Sequence, residues 1–174
     1  FVEEFTLPLP PIAEQQRIVA RLDAAFAAID EASAAAASNA RNARALFESY
    51  LDQVFSQRGA GWVERRLGEV TKFIDYRGKT PEKTLQGITL ITAKNVKKGY
   101  LQMTPHEYID EETYNKWMVR GLPQYGDVLF TTEAPLANVA LLNLSDRVAF
   151  AQRIIIISPQ KNYLLSHFLM YMLL

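Results

Sequence analysis

The chain has 174 residues, with 19 Lys+Arg against 19 Asp+Glu, two His, no Cys, 49% hydrophobic and 22% charged residues. This suits one globular domain, or a small domain with one long element, and excludes disordered and collagen-like classes. The lack of cysteine excludes disulfides, thiolate metal sites and a thiol nucleophile, and no run of 18 apolar residues is present to span a bilayer, so a soluble cytoplasmic protein with no membrane partner is expected.

The first landmark is Leu7-Pro8-Leu9-Pro10-Pro11. Pro11 suits the first turn of a helix, where its missing N–H has no partner to lose, and Glu14 complements the positive end of the helix dipole. Neither Pro nor Gly occurs from Ile12 to Phe55, and Gly59 and Gly61 supply a stop. Within this stretch one seven-residue series runs Ile12, Val19, Phe26, Ser33, Ala40, Phe47, Val54. A second, offset by three, runs Gln15, Leu22, Ile29, Ala36, Ala43, Tyr50. Alternating steps of three and four mark a coiled-coil seam. Twelve of the 22 residues from Ala24 to Ala45 are alanine, so the seam is small at its centre and bulky at its ends. A helix of this length runs roughly 65–70 Å, more than the ~25–30 Å width of the remaining domain. The seam therefore predicts a helical mate in another chain or another copy of the module, with antiparallel packing preferred. The alternative is a solvated, alanine-rich linker helix held by propensity alone.

The periodicity then changes. Trp62 to Ile74 reads as a short strand, Ile88 to Thr92 as a β-branched strand, and Lys97-Lys98-Gly99-Tyr100 as a turn. Asp110 caps a short helix reaching Met118, with Glu111 and Glu112 in its first turn. Gly126-Asp127 turns into a strand over Val128 to Thr131, followed by strands over Asn138 to Leu142 and Arg153 to Ile157, and Tyr163 to Leu174 reads as a core helix. The predicted fold class is α+β: a long N-terminal coiled-coil-like helix followed by a mixed, antiparallel-rich α/β domain.

No phosphate-binding glycine loop, nucleophile elbow or metal-spaced cluster is present. His106 and His167 are isolated, and Asp110, Glu111 and Glu112 are explained as helix-end charge. Binding is therefore favoured over catalysis. The neutral total conceals a cationic middle: residues 58–100 hold ten basic and four acidic side chains, while residues 1–57 hold four and eight. Local potential, not net charge, governs phosphate binding. Arg77, Lys79, Lys83, Lys94, Lys97 and Lys98 are interleaved with Tyr76, Thr80, Thr92, Asn95 and Tyr100. Lysines and hydroxyls can hold phosphates, and Arg or Asn can read base edges. The polar segment from Thr131 to Asn138 is a second candidate reading loop. Its Thr132 and Glu133 lie at the strand end, Glu133 can accept from cytosine N4, and the Asn138 amide can pair with adenine.

These residues carry a family resemblance. Leu7-Pro8-Leu9-Pro10-Pro11-Ile12-Ala13-Glu14-Gln15-Gln16-Arg17-Ile18-Val19, continuing into Leu22-Asp23 and Ile29-Asp30, resembles the helical region of type I restriction–modification specificity (S) subunits. Gly126-Asp127-Val128-Leu129-Phe130-Thr131-Thr132-Glu133-Ala134-Pro135 with Asn138-Val139-Ala140 is similar to a segment of their target recognition domains. Ala137 stands where the family often has glycine. Ala149-Phe150-Ala151-Gln152-Arg153 is similar to a later strand entry, which adds Gln152 and Arg153 to the candidate DNA-binding residues. The resemblance implies a non-catalytic subunit that selects double-stranded DNA for methylation (M) and restriction (R) subunits. It places S-adenosylmethionine and ATP with Mg²⁺ on those partners and none on this chain. The expected organisation is a tail strand of a preceding recognition domain at residues 1–9, a spacer and dimerisation helix at 10–58, and a target recognition domain at 59–174 that need not be complete at its C-terminal end. Such a truncated or half-length subunit, in a prokaryotic cytoplasm, is expected to pair as a homodimer through Val19, Leu22, Phe26, Ile29, Ser33, Ala36, Ala40, Ala43, Phe47, Tyr50 and Val54. The competing reading is a coiled-coil structural or adaptor protein with a protein-binding α/β domain.

Overall fold

The uninterrupted stretch after Pro11 forms one helix, α1 (Ile12–Ser56), of 45 residues. Its first turn is closed by the Pro11 carbonyl, which accepts from the Glu14 and Gln15 N–H groups at 2.9 and 3.0 Å. The Gln15 side chain reaches back to the Pro10 carbonyl at 2.8 Å. The computed structural model describes residues 4–76, 78 and 80–174, and the chain divides into two compact units, Phe1–Ser56 and Gln57–Leu174. Within α1 no residue is buried. All eleven seam positions from Val19 to Val54 are exposed, Ser33, Ala36, Ala40 and Ala43 included, with Phe26 and Tyr50 each 62% exposed. Residues 5–11 form neither helix nor strand. Pro8, Pro10 and Pro11 lack the N–H donors that a helix or a ladder would use in this segment. Phe1 to Glu3 lie outside the described residues.

The second unit is built on two sheets. Its elements in order are α2 (Leu67–Val70), β1 (Thr71–Asp75), β2 (Ile88–Ile91), β3 (Tyr108–Ile109), α3 (Glu111–Trp117), β4 (Val128–Thr132), β5 (Leu136–Leu141), β6 (Val148–Phe150), β7 (Ile154–Pro159) and α4 (Ser166–Leu173). One sheet has the order β1-β7-β4-β5 and the other β3-β2-β6. Every pairing is antiparallel except β2 with β6. The run Ile154 to Ile157 is apolar without alternation because the larger sheet is covered on both faces. Ile154 and Ile156 pack with Leu129, Ile91 and Phe150 on one side, and Ile157 packs with Val128, Val139, Leu169 and Met170 of α4 on the other. Each such side chain taken from water contributes about 1.5–3 kcal/mol.

Two local expectations are corrected. The segment expected as a strand from Trp62 is irregular until one turn of helix at Leu67, which the Thr71 hydroxyl closes by donating to the Leu67 carbonyl at 2.7 Å; the strand begins only at Thr71. β3 and β6, of two and three residues, were not anticipated. Elements that short carry no period to read, and they exist because β2 lies between them. The helix after Asp110 ends at Trp117, with the Asp110 carboxylate accepting from the Thr113 N–H at 2.7 Å. That bond holds the Asp110 carboxyl below the usual carboxylate range. Gly87, at φ +138°, lets the chain enter β2 where an added Cβ would stand 2.4 Å from the Ile109 carbonyl oxygen.

Candidate nucleic-acid interface

The register of the larger sheet gathers distant parts of the sequence at one end. Thr132 lies opposite Leu136 and Thr131 opposite Ile154, so the β4–β5 connection and the entry to β7 are neighbours. The backbone N–H of Thr132 donates to the Arg153 carbonyl at 3.0 Å. Asp75 lies opposite Ile155, which brings the end of β1 to the same place. The segment after it holds Arg77 and Lys79, which fall outside the described residues, and the exposed Thr80.

A further loop docks here. Residues 96–101 form a small hairpin closed by the Val96–Leu101 bridge, with the Lys97 N–H donating to the Tyr100 carbonyl at 2.9 Å. Gly99, at φ +90°, supplies the left-handed turn position. Its N–H donates to the Val139 carbonyl of β5 at 2.7 Å, and the Asn138 amide donates to the Val96 carbonyl at 2.8 Å. Lys98 and Tyr100 are exposed and Lys97 is half-buried. The hairpin carrying Lys97, Lys98 and Tyr100 is thus tied to the β4–β5 loop carrying Thr132 and Glu133.

That loop is held by Thr131, which the sequence places only as the first residue of the polar segment. Thr131 is fully buried; its hydroxyl donates to the Pro135 carbonyl at 2.6 Å and accepts from the Asn138 N–H at 2.9 Å. The signal was a threonine pair at a strand end, where a hydroxyl can stand in for a missing ladder partner. Among the described residues, the non-glycine positions with positive φ are Ala134 (41°), Ala137 (60°) and Arg153 (76°). All three lie in this one cluster. The Thr132 hydroxyl oxygen is also enclosed there without a hydrogen-bond partner. Backbone strain and an unsatisfied polar atom concentrated at one spot are characteristic of binding sites, because they survive only where the surroundings impose them. Ala137 departs from glycine at a position that favours glycine. Ala137→Gly is therefore expected to stabilise the unit by about 0.5–1 kcal/mol, the left-handed penalty less the added chain entropy. A rise in melting temperature of roughly 2–5 °C would register it, and a fall would contradict the left-handed assignment.

Other candidate residues have different places. Asn95 is buried, not a base reader at the surface: its side chain accepts from the Thr92 N–H and hydroxyl at 2.9 and 2.8 Å and donates to the Gln102 and Pro105 carbonyls at 3.0 Å each. Thr92 is buried with it. Both organise the base of the hairpin. A polar residue in a turn reads alike from sequence whether it points outward or closes the turn, and here four internal bonds decide it. Asn138 likewise spends an amide N–H on the hairpin. Tyr76 is buried, stacks on Trp117 with centroids 6.2 Å apart, and donates to the Gly121 carbonyl at 2.6 Å; burial pushes its phenol above the ordinary value. Lys83 sits on the other sheet's side of the unit, paired with Glu107 at 2.7 Å beside the Thr84–Tyr108 bridge. Lys94 is exposed and Gln152 half-buried. Arg153 pairs with Glu133, its Nε 3.6 Å from the carboxylate. Among the described residues there is no cluster of three or more His, Cys, Asp or Glu side chains suited to a metal ion, and no helix is long and apolar enough to cross a membrane.

No family model and no curated protein matches the chain. Solved structures do. The chain is similar to the HsdS subunit from Thermoanaerobacter tengcongensis at 25% identity and a TM-score of 0.51, covering 96% of this chain and 42% of that one. It is also similar, at 26% identity and a TM-score of 0.59 with the same coverages, to a chain from a structure concerned with complex assembly and conformational transition of the type I R-M system. The chain thus spans 42% of the length of either relative. A long helix followed by an antiparallel-rich sheet domain is an α+β fold like that of a type I specificity subunit.

Proposed function

We propose that this chain is a DNA-recognition half of a type I restriction–modification specificity subunit. It selects a half-site in double-stranded DNA and performs no chemistry itself. S-adenosylmethionine, ATP and Mg²⁺ belong to the methylation and restriction subunits that it serves in the cytoplasm. The observation that carries this reading is the convergence, at one end of the larger sheet, of the lysine-bearing hairpin at 96–101, the strained β4–β5 loop and the turn at Arg153. Cations on the hairpin suit phosphates, and the rigid loop beside them presents polar side chains to base edges.

Duplex binding measured across a salt series tests it. Affinity should fall steeply with salt, and Lys97→Ala should weaken binding to all sequences alike and lower the salt slope by about one. Binding that is absent, or indifferent to salt, would leave the adaptor reading in its place.

In the 174-residue chain the mate of α1 is a second copy. A full-overlap antiparallel register sets Ser33 opposite Ala36 of the partner subunit. Phe26 then faces the partner subunit's Ala43, Ile29 the partner's Ala40, Leu22 the partner's Phe47 and Val19 the partner's Tyr50. Large residues meet small ones through the central layers, which keeps the axes close. The flanking positions are complementary too, because Asp23 comes beside Arg44 of the partner subunit on both sides of the two-fold axis. Two recognition units joined by a helix pair roughly 68 Å long would read a symmetric, split target.

A further inference from the structure

We infer that Glu133 and Arg153 together read a single G·C base pair through its major-groove edge, an assignment that rests on the DNA-recognition reading above. The two residues are 20 apart in sequence, yet the Thr132 N–H bound to the Arg153 carbonyl at 3.0 Å fixes their backbones side by side. Arg153 Nε stands 3.6 Å from Glu133 Oε2, and the side chains are 43% and 65% exposed. A charge-assisted hydrogen bond would close to about 2.7–2.9 Å. The pair therefore lies alongside rather than locked together, and an exposed pair this loose contributes little to stability. Its cost is borne instead by the backbone: Arg153 is held at φ +76°, and Ala134 and Ala137 of the facing loop are held at +41° and +60°. Strain that orients an exposed donor and acceptor suits a reader better than a scaffold.

The chemistry selects the base pair. An acid at the tip of a DNA-facing loop is repelled by phosphate and is useful only where it meets a base donor. The donors on the major-groove edge are cytosine N4 and adenine N6. The arginine fork needs two adjacent acceptors, which guanine offers as O6 and N7 and an A·T pair does not. A carboxylate beside a guanidinium is thus the complement of the N4 donor beside the O6 and N7 acceptors. In the free protein each group neutralises the other, so Arg153 is not spent on phosphate. A wrong base pair leaves one of the two desolvated without a partner, which is the source of discrimination.

Selection of bound duplexes from a random-sequence library with the 174-residue chain tests this. The wild type should enrich a motif with one fixed G·C position in each half-site. Glu133→Gln and Arg153→Lys should each relax that position roughly tenfold or more and leave the others unchanged. Lys97→Ala should lower overall affinity and relax none. Both substitutions are at exposed side chains, and unchanged thermal melting will separate a lost contact from a lost fold; if one variant melts early, the other carries the test. A motif whose positions ignore both variants, a relaxed position that is A·T, or binding with no motif at all would overturn the inference while leaving DNA recognition standing. No duplex binding by the wild type would overturn the functional reading itself, and this inference with it.

Discussion

Replacing Phe26 with aspartate is expected to raise the dimer dissociation constant of the chain at least about a thousand-fold. In the antiparallel pair proposed above each Phe26 would be buried against Ala43 of the partner subunit, and the two-fold axis would make the contact occur twice. Two phenylalanines removed from an interface forfeit about 3–6 kcal/mol, and two carboxylates brought into the seam add a desolvation cost. A thousand-fold change corresponds to about 4 kcal/mol, inside that range. Sedimentation equilibrium measures the constant, and far-UV circular dichroism checks that α1 remains helical. Phe26→Leu should hold the dimer within about tenfold, because most of the apolar volume stays. Orientation is tested by charge: Arg44→Asp should weaken pairing by about tenfold, placing like charges beside Asp23 of the partner subunit twice over. The double change Asp23→Arg with Arg44→Asp should restore it. No rescue would point to another register or a parallel pair. A wild-type chain that stays monomeric at high micromolar concentration would remove the helix-pair proposal altogether, because the exposed seam, with Phe26 and Tyr50 each 62% accessible, would then need no mate.

Asn95→Ala is expected to cost the second unit about 3–4 kcal/mol, lowering its melting temperature by roughly 10–20 °C. Asn95 is 1% exposed, and its side chain makes four hydrogen bonds, to the Thr92 N–H and hydroxyl and to the Gln102 and Pro105 carbonyls. Truncation leaves the buried Thr92 N–H and hydroxyl without their acceptor, and each such unsatisfied group carries about 1–3 kcal/mol unless water enters. Asn95→Asp should do nearly as badly, because a carboxylate keeps the acceptor but turns a second oxygen toward two carbonyls. The hairpin at 96–101 grows from this turn, so DNA affinity should fall with stability, and sequence preference should not change selectively. Thermal melts paired with binding curves distinguish the roles. A variant that melts like the wild type but loses preference at one base pair would return Asn95 to the reading surface.

The contrast between Asn95 and Glu133 shows where the sequence stops being informative. Both are polar residues in turn-like segments, and nothing in their neighbours says that one closes a buried network while the other stands exposed beside an arginine 20 residues further on. A hydrogen-bond partner is chosen by sheet register, which is a property of pairs of segments. Periodicity and propensity belong to one segment alone.

What the amino-acid order determined by itself is therefore local. Prolines at 8, 10 and 11, 45 residues free of breakers and a seven-residue recurrence dictate a single long helix with an apolar stripe, because each helical bond spans only four residues. β-Branched runs dictated β2, β4 and β7, and Asp110 with the acids after it dictated α3. Only the tertiary structure decided that Leu67–Val70 is helical, that two- and three-residue strands complete the smaller sheet, and that Gly99, Asn138 and Thr132 bind three loops into one surface. Those outcomes depend on groups far apart in the chain satisfying one another's donors and acceptors as the two faces of a sheet are buried, a requirement that no contiguous window of residues contains.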